Sequence, residues 1–449
     1  MIVLKFGGTS LQDAEAIERA SGIVLRRLGQ APVVVVSALG GVTNDLLHAA
    51  ALASRGEFIP ALLHIEALRD RHLTVCEALL GSGPEADDVA ADLSAAFDEL
   101  AHLGEALSRL VHLSPRSQDT VAAVGEQLSS LLITAVLRAR GIPARHVDAR
   151  RVMVTDDYFG KAAPQPEEIA DACRCHVTPV VEAGEVPVLG GYIGATRQGI
   201  TTTLGRGGSD YSAALFGAAL SADAIEIWTD VDGILTADPR VVQGARVIES
   251  IRFDEAAELA SFGAKVLHPS TIAPAVQKGI PVYVLNSRRP DGRGTRITLD
   301  APPHPVTAVA AKRDVTVVRV RSPRMLLAHG FMRGIFEVFE RNRTSVDVVA
   351  TSEVSVSVTI DDTSHLESLL VELAPLGDVS VERGRGIVAL VGSGIAAGGV
   401  TMARALGALQ SARVHMASLS ATGINLSLVV DDDEVHPVMI RLHREFFES

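Results

Sequence analysis

The sequence is short of cysteine, of long apolar runs and of positive charge, and each shortage removes a class of protein. Its three cysteines, Cys76, Cys173 and Cys175, are an odd and scattered set for 449 residues. No disulfide framework is expected from them. Cys173-x-Cys175 with the adjacent His176 resembles half a metal site, but no second Cys/His pair lies at finger spacing. These read as ordinary helix residues, and no resident metal site is expected. Apolar runs such as Val33–Val36 are strand-sized, far short of the ~20 residues of a membrane span. Met1 leads directly into Ile2-Val3-Leu4 without a basic leader, so no signal peptide, no membrane and a cytoplasmic location are expected. The net charge of −13 argues against nucleic acid as a partner, which calls for a basic face. An anionic small molecule stays open, because local backbone amides bind phosphate even in an acidic protein. No Gly-x-x-x-x-Gly-Lys-Ser/Thr run occurs, which excludes a P-loop enzyme.

A chain of this length suits two or three domains. Its first ~290 residues alternate strand-like runs with helical patterns, the mark of a mainly parallel α/β sheet. Strands are predicted at Ile2–Lys5, Val33–Ser37, Val186–Leu189, Ala224–Trp228 and Pro281–Leu285. The Ala/Leu-rich stretch from Val42 to about Leu113 predicts a helical subdomain. Ser287–Asp314, rich in Pro, Gly and Arg, reads as a boundary. Two similar units of roughly 60 residues follow, each reading strand, loop, helix, strand, strand, and form a tandem repeat. The first runs through Val315–Val320, Gly330–Arg341, Val346–Val349 and Val354–Ile360. The second runs through Ile387–Val391, Gly399–Leu409, Val414–Ala417 and Asn425–Val430.

Several polar clusters sit where open α/β sheets bind ligands, just past a strand or at a helix start. Lys5-Phe6-Gly7-Gly8-Thr9-Ser10 ends the first strand and precedes a helix from about Asp13. Its backbone amides and Lys5 make an anion site, or else a tight turn with an exposed lysine. Ser37 to Asn44 repeats the pattern with Gly40, Gly41 and Thr43. Thr201 to Asp210 packs three threonines, three glycines, Arg206 and Asp210 into ten residues. Arg206 can clamp a carboxylate with two parallel bonds, while Ser209-Asp210 suits a helix N-cap. Trp228–Ile234 with Asp238-Pro239-Arg240, and Phe262–Pro269 with Lys265, complete the set. Glu126 reads, by itself, as a first-turn acid favoured by the helix dipole. Gly392-Ser393-Gly394-Ile395-Ala396-Ala397 fits a dinucleotide fingerprint, but Ala417 stands where the acidic partner belongs.

Taken together, KFGGTS, TTTLGRGGSD and FGAKVLHP resemble the aspartate kinases of the amino-acid kinase superfamily, most closely the lysine-sensitive monofunctional type. The resemblance spans essentially the whole chain. It implies an amino-acid kinase sheet sandwich with a helical subdomain (1–290) and a linker (291–312). A regulatory domain (313–449) would follow, made of two ferredoxin-like βαββαβ ACT modules, about 313–385 and 386–449. It implies ATP and Mg²⁺ as cofactors and L-aspartate as substrate. Lys5, Gly7 and Gly8 would hold the transferred phosphoryl group, and Asp210 would organise the site. Ser37 and Thr43 would line the aspartate pocket, with Glu126 on the ammonium and Arg206 on the carboxylate. The nucleotide would lie along Thr229, Asp230, Asp238, Arg240 and Lys265. An effector, L-lysine, would bind near Met325, Phe331, Met332, Val346, Asp347, Ser352 and Glu353. A homodimer through the ACT modules is implied. Two positions depart from the lysine-sensitive pattern: Leu235 replaces a usual aromatic, and Ala328 a small hydroxyl residue. A kinase for another acidic amino acid and a silent amino-acid sensor are the rival readings.

Overall fold

The computed structural model describes residues 1–262, 269–410 and 412–448. The chain divides into two compact units, Met1–Ile234 with Val266–Asp300, and Leu235–Lys265 with Ala301–Ser449.

The first unit is built on strands buried on both faces, as parallel sheets are. They are β1 (Ile2–Phe6), β2 (Pro32–Val36), β3 (Ala144–His146), β4 (Val154–Thr155), β5 (Val186–Gly190), β6 (Ile193–Thr196), β7 (Thr201–Thr203) and β8 (Ala224–Thr229). After an excursion into the second unit carrying β9 (Ser250–Arg252), the chain returns with β10 (Val282–Asn286) and β11 (Thr295–Thr298). The main sheet of this unit runs β3-β5-β2-β1-β8-β10-β11, and only its β10–β11 pair is antiparallel. A small sheet β4-β6-β7 lies beside it. Every strand expected from the sequence in this unit is found. The short β3, β4, β6, β7 and β11 were not foreseen, β11 lying inside the stretch read as linker, because two to four residues carry no readable periodicity.

Helices α1 (Ala14–Arg27), α2 (Val42–Ala53), α3 (Phe58–Leu80), α4 (Pro84–Leu110) and α5 (Pro115–Ala139) follow β1 and β2. The expected helical subdomain is α2 to α4, and its core includes Leu46, Ile65, Leu93 and Phe97. By length and composition α5 is apolar enough to cross a membrane, but 78% of that window is buried inside the protein. It is the core helix. Ser114 caps it by accepting from the Ser117 amide at 3.1 Å, with Pro115 at the first position. Then come α6 (Pro166–His176), α7 (Thr178–Glu182) and α8 (Gly208–Ala219). Cys173 is buried in α6, its thiol pushed up to about 12 by desolvation, whereas Cys175 is exposed.

The second unit holds α9 (Phe253–Ser261) and a six-stranded antiparallel sheet. Past α10 (Pro269–Lys278), which belongs to the first unit, the strands are β12 (Ala308–Arg321), β13 (Val349–Thr351), β14 (Ser355–Ile360), β15 (Asp378–Val391), β16 (Met416–Leu419) and β17 (Asn425–Asp431). Their order is β13-β14-β12-β15-β17-β16, with α11 (Phe331–Arg341), α12 (Leu366–Leu373), α13 (Gly399–Ala408) and α14 (Val435–His443) completing two βαββαβ modules.

The modules interlock. In β12, Val315–Arg321 pairs with β14 and the first half of β15, whereas Ala308–Lys312 pairs with Ile387–Val391. A register shift separates the halves, and Asp314 adopts φ 57° there. Thus Ala308–Lys312, inside the stretch read as linker, is a strand of the second module, and the first module is inserted between it and the rest. Each module has its own core, one around Val318, Phe339, Val358 and Leu369, the other around Val309, Val388, Leu428 and Val438. The second also takes in Ala237 and Val242. Residues 235–262, read from sequence as part of the catalytic domain, therefore pack within the second unit. Glu255 of α9 is buried and accepts from the Ser393 amide at 2.7 Å and from Thr307 Oγ1 at 3.1 Å. The glycine-rich loop that mimicked a dinucleotide fingerprint is thus the seat of an internal carboxylate.

Candidate active site

The first unit brings its polar groups together at the C-terminal ends of adjacent strands β5, β2, β1 and β8, where such sheets bind ligands. Lys5, on the buried β1, points its ammonium to within 2.7 Å of Asp210 Oδ1. The contact is an ion pair without hydrogen-bond alignment, since that oxygen has no directed donor among the described residues. Gly7 follows Lys5, and a Cβ there would lie 3.4 Å from Lys5 Nζ. The turn is closed by the Gly7 amide donating to Trp228 O at 3.1 Å and the Ser10 amide to Gly7 O at 2.9 Å. At Gly8 a Cβ would come within 3.2 Å of Ala38 O, so glycine lets the β1 and β2 loops meet.

Asp210 lies in the first turn of α8. The helix is entered through Gly207 at φ 71° with no side-chain cap, so the N-cap expected of Ser209-Asp210 is not formed. That frees Asp210 for Lys5. Arg206, between left-handed Gly205 and Gly207, is exposed and has no polar partner among the described residues.

Glu126 corrects a second expectation. It sits in the middle of α5, not in a first turn, and is 3% exposed. Desolvation pushes its carboxyl up to about 8, against the opposing pull of the Ala38 amide and the Lys5 charge. One of its oxygens, Oε2, has no hydrogen-bond partner among the described residues. A buried acceptor left open and near enough to feel the Lys5 charge is a candidate binding group. Two glycines at the end of β5 make the fit possible. A Cβ at Gly190 would stand 3.2 Å from Glu126 Cβ, and one at Gly191 would stand 2.8 Å from Ser209 Cβ. Ser37 is half-buried at the end of β2; its amide donates to Phe6 O at 3.0 Å and its carbonyl accepts from Ser129 Oγ at 2.8 Å. Thr43 is in the first turn of α2.

Thr229 and Asp230 leave β8 in the same unit, Thr229 Oγ1 donating to Asp230 Oδ1 at 3.3 Å. Asp238 and Arg240 belong to the second unit and pair with each other at 2.6 Å. The Arg240 guanidinium holds the Asp238 carboxyl below its usual range. Lys265 lies outside the described residues.

In the first module, Met325, Phe331, Met332 and Val346 pack against the core. Ser352 and Ser355 hydroxyls meet at 2.8 Å, and Glu353 is exposed. Asp347 is already engaged, because Lys312 Nζ stands 2.9 Å from it and 2.7 Å from Asp361.

One residue escaped sequence reasoning. Asp119 on α5 is 2% exposed and accepts from the Gly160 amide at 2.9 Å, the Thr203 amide at 3.0 Å and Thr203 Oγ1 at 2.7 Å. Its signal was spacing: seven residues before Glu126, it shares the same buried helix face.

The family description "Amino acid kinase family" matches residues 1–286. Over its whole length the chain is 38% identical to lysine-sensitive aspartokinase 3 of Escherichia coli, covering 99% of that protein. It is 35% identical to chloroplastic aspartokinase 2 of Arabidopsis thaliana, covering 84% of it. Two crystal structures of E. coli aspartokinase III are similar at 37% identity across the full chain. One is the T-state with lysine and aspartate (TM-score 0.84, 99% of that chain), the other the R-state with aspartate and ADP (TM-score 0.85, 100% of that chain). The fold and site thus define a carboxylate-handling kinase of the amino-acid type. The chain belongs to the amino acid kinase family and, within it, to the aspartokinases.

Proposed function

We propose that the enzyme transfers the γ-phosphoryl group of MgATP to the β-carboxylate of L-aspartate, giving 4-phospho-L-aspartate. This is the first step toward lysine, threonine and methionine. The observation that carries the reading is the junction of Lys5, Asp210 and the buried Glu126 at adjacent strand ends, in a chain similar to one crystallised with aspartate and ADP. Aspartate is ionised at neutral pH and needs no general base. The obstacle is an anion approaching a polyanion, so catalysis is positioning and charge neutralisation. In this reading Lys5 and the amides of the Gly7-Gly8 turn receive the phosphoryl oxygens. Asp210 holds Lys5 in place, and Ser37 and Thr43 line the pocket. Glu126 takes the substrate ammonium and Arg206 its α-carboxylate. Were Mg²⁺ bound with the nucleotide, Asp210 and Asp230 would offer the hard oxygen donors it prefers, and the ion would supply charge neutralisation at the phosphates. Thr229, Asp230, Asp238, Arg240 and Lys265 are assigned to the nucleotide.

The reading extends to feedback inhibition by L-lysine at Met325, Phe331, Met332, Val346, Asp347, Ser352 and Glu353, with the ammonium of lysine exchanging for Lys312 at Asp347. Homodimerisation through the ACT modules and a cytoplasmic setting, without nucleic acid or membrane, complete it. The test is ATP-dependent acyl phosphate formation from L-aspartate, trapped with hydroxylamine, with and without L-lysine. Turnover suppressed by lysine is expected. Turnover indifferent to lysine removes the effector assignment, and none on aspartate with nucleotide bound removes the substrate assignment.

A further inference from the structure

We infer that Asp119 is a positioning residue that sets the distance between the two ends of the aspartate site and thereby its chain-length specificity. The inference rests on the reading of Glu126 and Arg206 as the grips for substrate ammonium and carboxylate. Those grips come from different elements. Glu126 is carried by α5, and Arg206 by the loop between β7 and α8, which also delivers Asp210 to Lys5.

Asp119 ties these elements together. It stands two turns before Glu126 on the same helix and is bonded to the last residue of β7, three residues before Arg206. It also binds the Gly160 amide through both oxygens, at 3.0 and 2.9 Å. Residues 160–163 run along β7, with the Ala162 amide donating to Thr203 O at 2.9 Å. One carboxylate therefore holds the helix, the strand and a neighbouring loop in a single register.

Two backbone amides and a hydroxyl converge on one buried carboxylate, which rejects any isostere carrying a donor. An amide nitrogen in place of either oxygen would face an N–H or O–H donor. Tyr192 lies in the same layer, half-buried at φ 65°, and feels the charge of both Glu126 and Asp119. The glycines at 190 and 191 leave no slack on the opposite side, against Glu126 and Ser209. A shift of α5 against β7 would thus change the span between the grips. Reading one extra methylene is a matter of about 10–200-fold in specificity, within the reach of such a ruler.

The experiment compares the full-length enzyme with Asp119→Asn, Thr203→Val and Glu126→Gln, in steady-state assays with L-aspartate, L-glutamate and MgATP. For Asp119→Asn, KM for aspartate is expected to rise about 10- to 100-fold, with kcat within a few-fold and KM for ATP unchanged. The preference for aspartate over glutamate should fall at least about tenfold. Thr203→Val removes only the Oγ1 donor and is expected to move KM in the same direction by several-fold. It keeps the test decisive if Asp119→Asn does not fold, as judged by near-ultraviolet circular dichroism. An unchanged KM for aspartate and unchanged preference in the folded variants overturns the inference. So does an equal loss toward aspartate and ATP, which marks a general structural role. Glu126→Gln separates the two levels. If it leaves KM for aspartate unaltered, the two-grip reading fails and the ruler with it. If it raises KM while Asp119→Asn and Thr203→Val do not, only the ruler fails.

Discussion

Glu126 is the residue whose electrostatics are most exposed to test. Its carboxyl is raised from 4.5 to about 8 by burial. A carboxyl raised in the folded state stabilises the fold fully below its unfolded value, and that contribution is lost as pH rises through the folded value. Between about pH 5 and 8 the ligand-free enzyme should therefore lose stability on account of Glu126. Glu126→Gln removes this loss. It is expected to raise the ligand-free melting temperature by several degrees at about pH 8.5 and to change it little at about pH 5, by scanning calorimetry. Binding of an ammonium beside Glu126 restores its charge. At pH 7, aspartate binding should release about one proton per site, visible as a buffer-dependent calorimetric enthalpy. Glu126→Gln should abolish that release. A buffer-independent enthalpy in the wild type would show that Glu126 does not meet the ammonium.

Among the elements, α5 carries two buried carboxylates, Asp119 and Glu126, and its packing leaves little margin. A Cβ at Gly125 would lie 2.8 Å from Ala38 Cβ, closer than side chains tolerate. Ala38 is also the residue whose amide reaches the Glu126 carboxylate. Gly125→Ala is therefore expected to cost about 1–3 kcal/mol by overpacking and to raise KM for aspartate, measured by urea unfolding and steady-state assay. Stability lost without a change in KM would detach Ala38 from the site. The sequence made the long strands and the helical subdomain readable because hydrophobic period and run length suffice for them. It also placed Lys5 at the end of a strand and Arg206 in a glycine-flanked loop, since glycines after a strand are a local signal. A first-turn position for Glu126 fails because α5 begins twelve residues earlier, at the Ser114-Pro115 cap. Asp119 stayed hidden because its partners, Gly160 and Thr203, are distant in sequence.

For the molecule as a whole, the interlocked modules matter most. The strand Ala308–Lys312 was unreadable from sequence, since alanines are poor strand formers and the prolines before it signal a linker. Yet Val309 is 1% exposed in the core of the second module, whose other strands come some eighty residues later. Val309→Asp would bury an unpaired charge there. It is expected to destabilise the C-terminal module by about 3 kcal/mol or more while sparing the module that follows it directly in sequence. Hydrogen exchange should show amides of β15 residues 387–391 and of β17 losing protection, and those of β14 keeping it. Equal loss in both would mean the two cores melt as one.

The same interlock has a consequence in time. A ribosome adds about 5–20 residues per second. Ala308–Lys312 therefore emerges several seconds before Ile387–Val391, the segment it pairs with. During that wait β14 can pair with Val315–Arg321, while Ala308–Lys312 remains an unpaired edge open to wrong neighbours. β15 then completes both modules together, its first half on Val315–Arg321 and its second on Ala308–Lys312. Slowing or pausing synthesis between the two would lengthen the most vulnerable moment in the life of the chain.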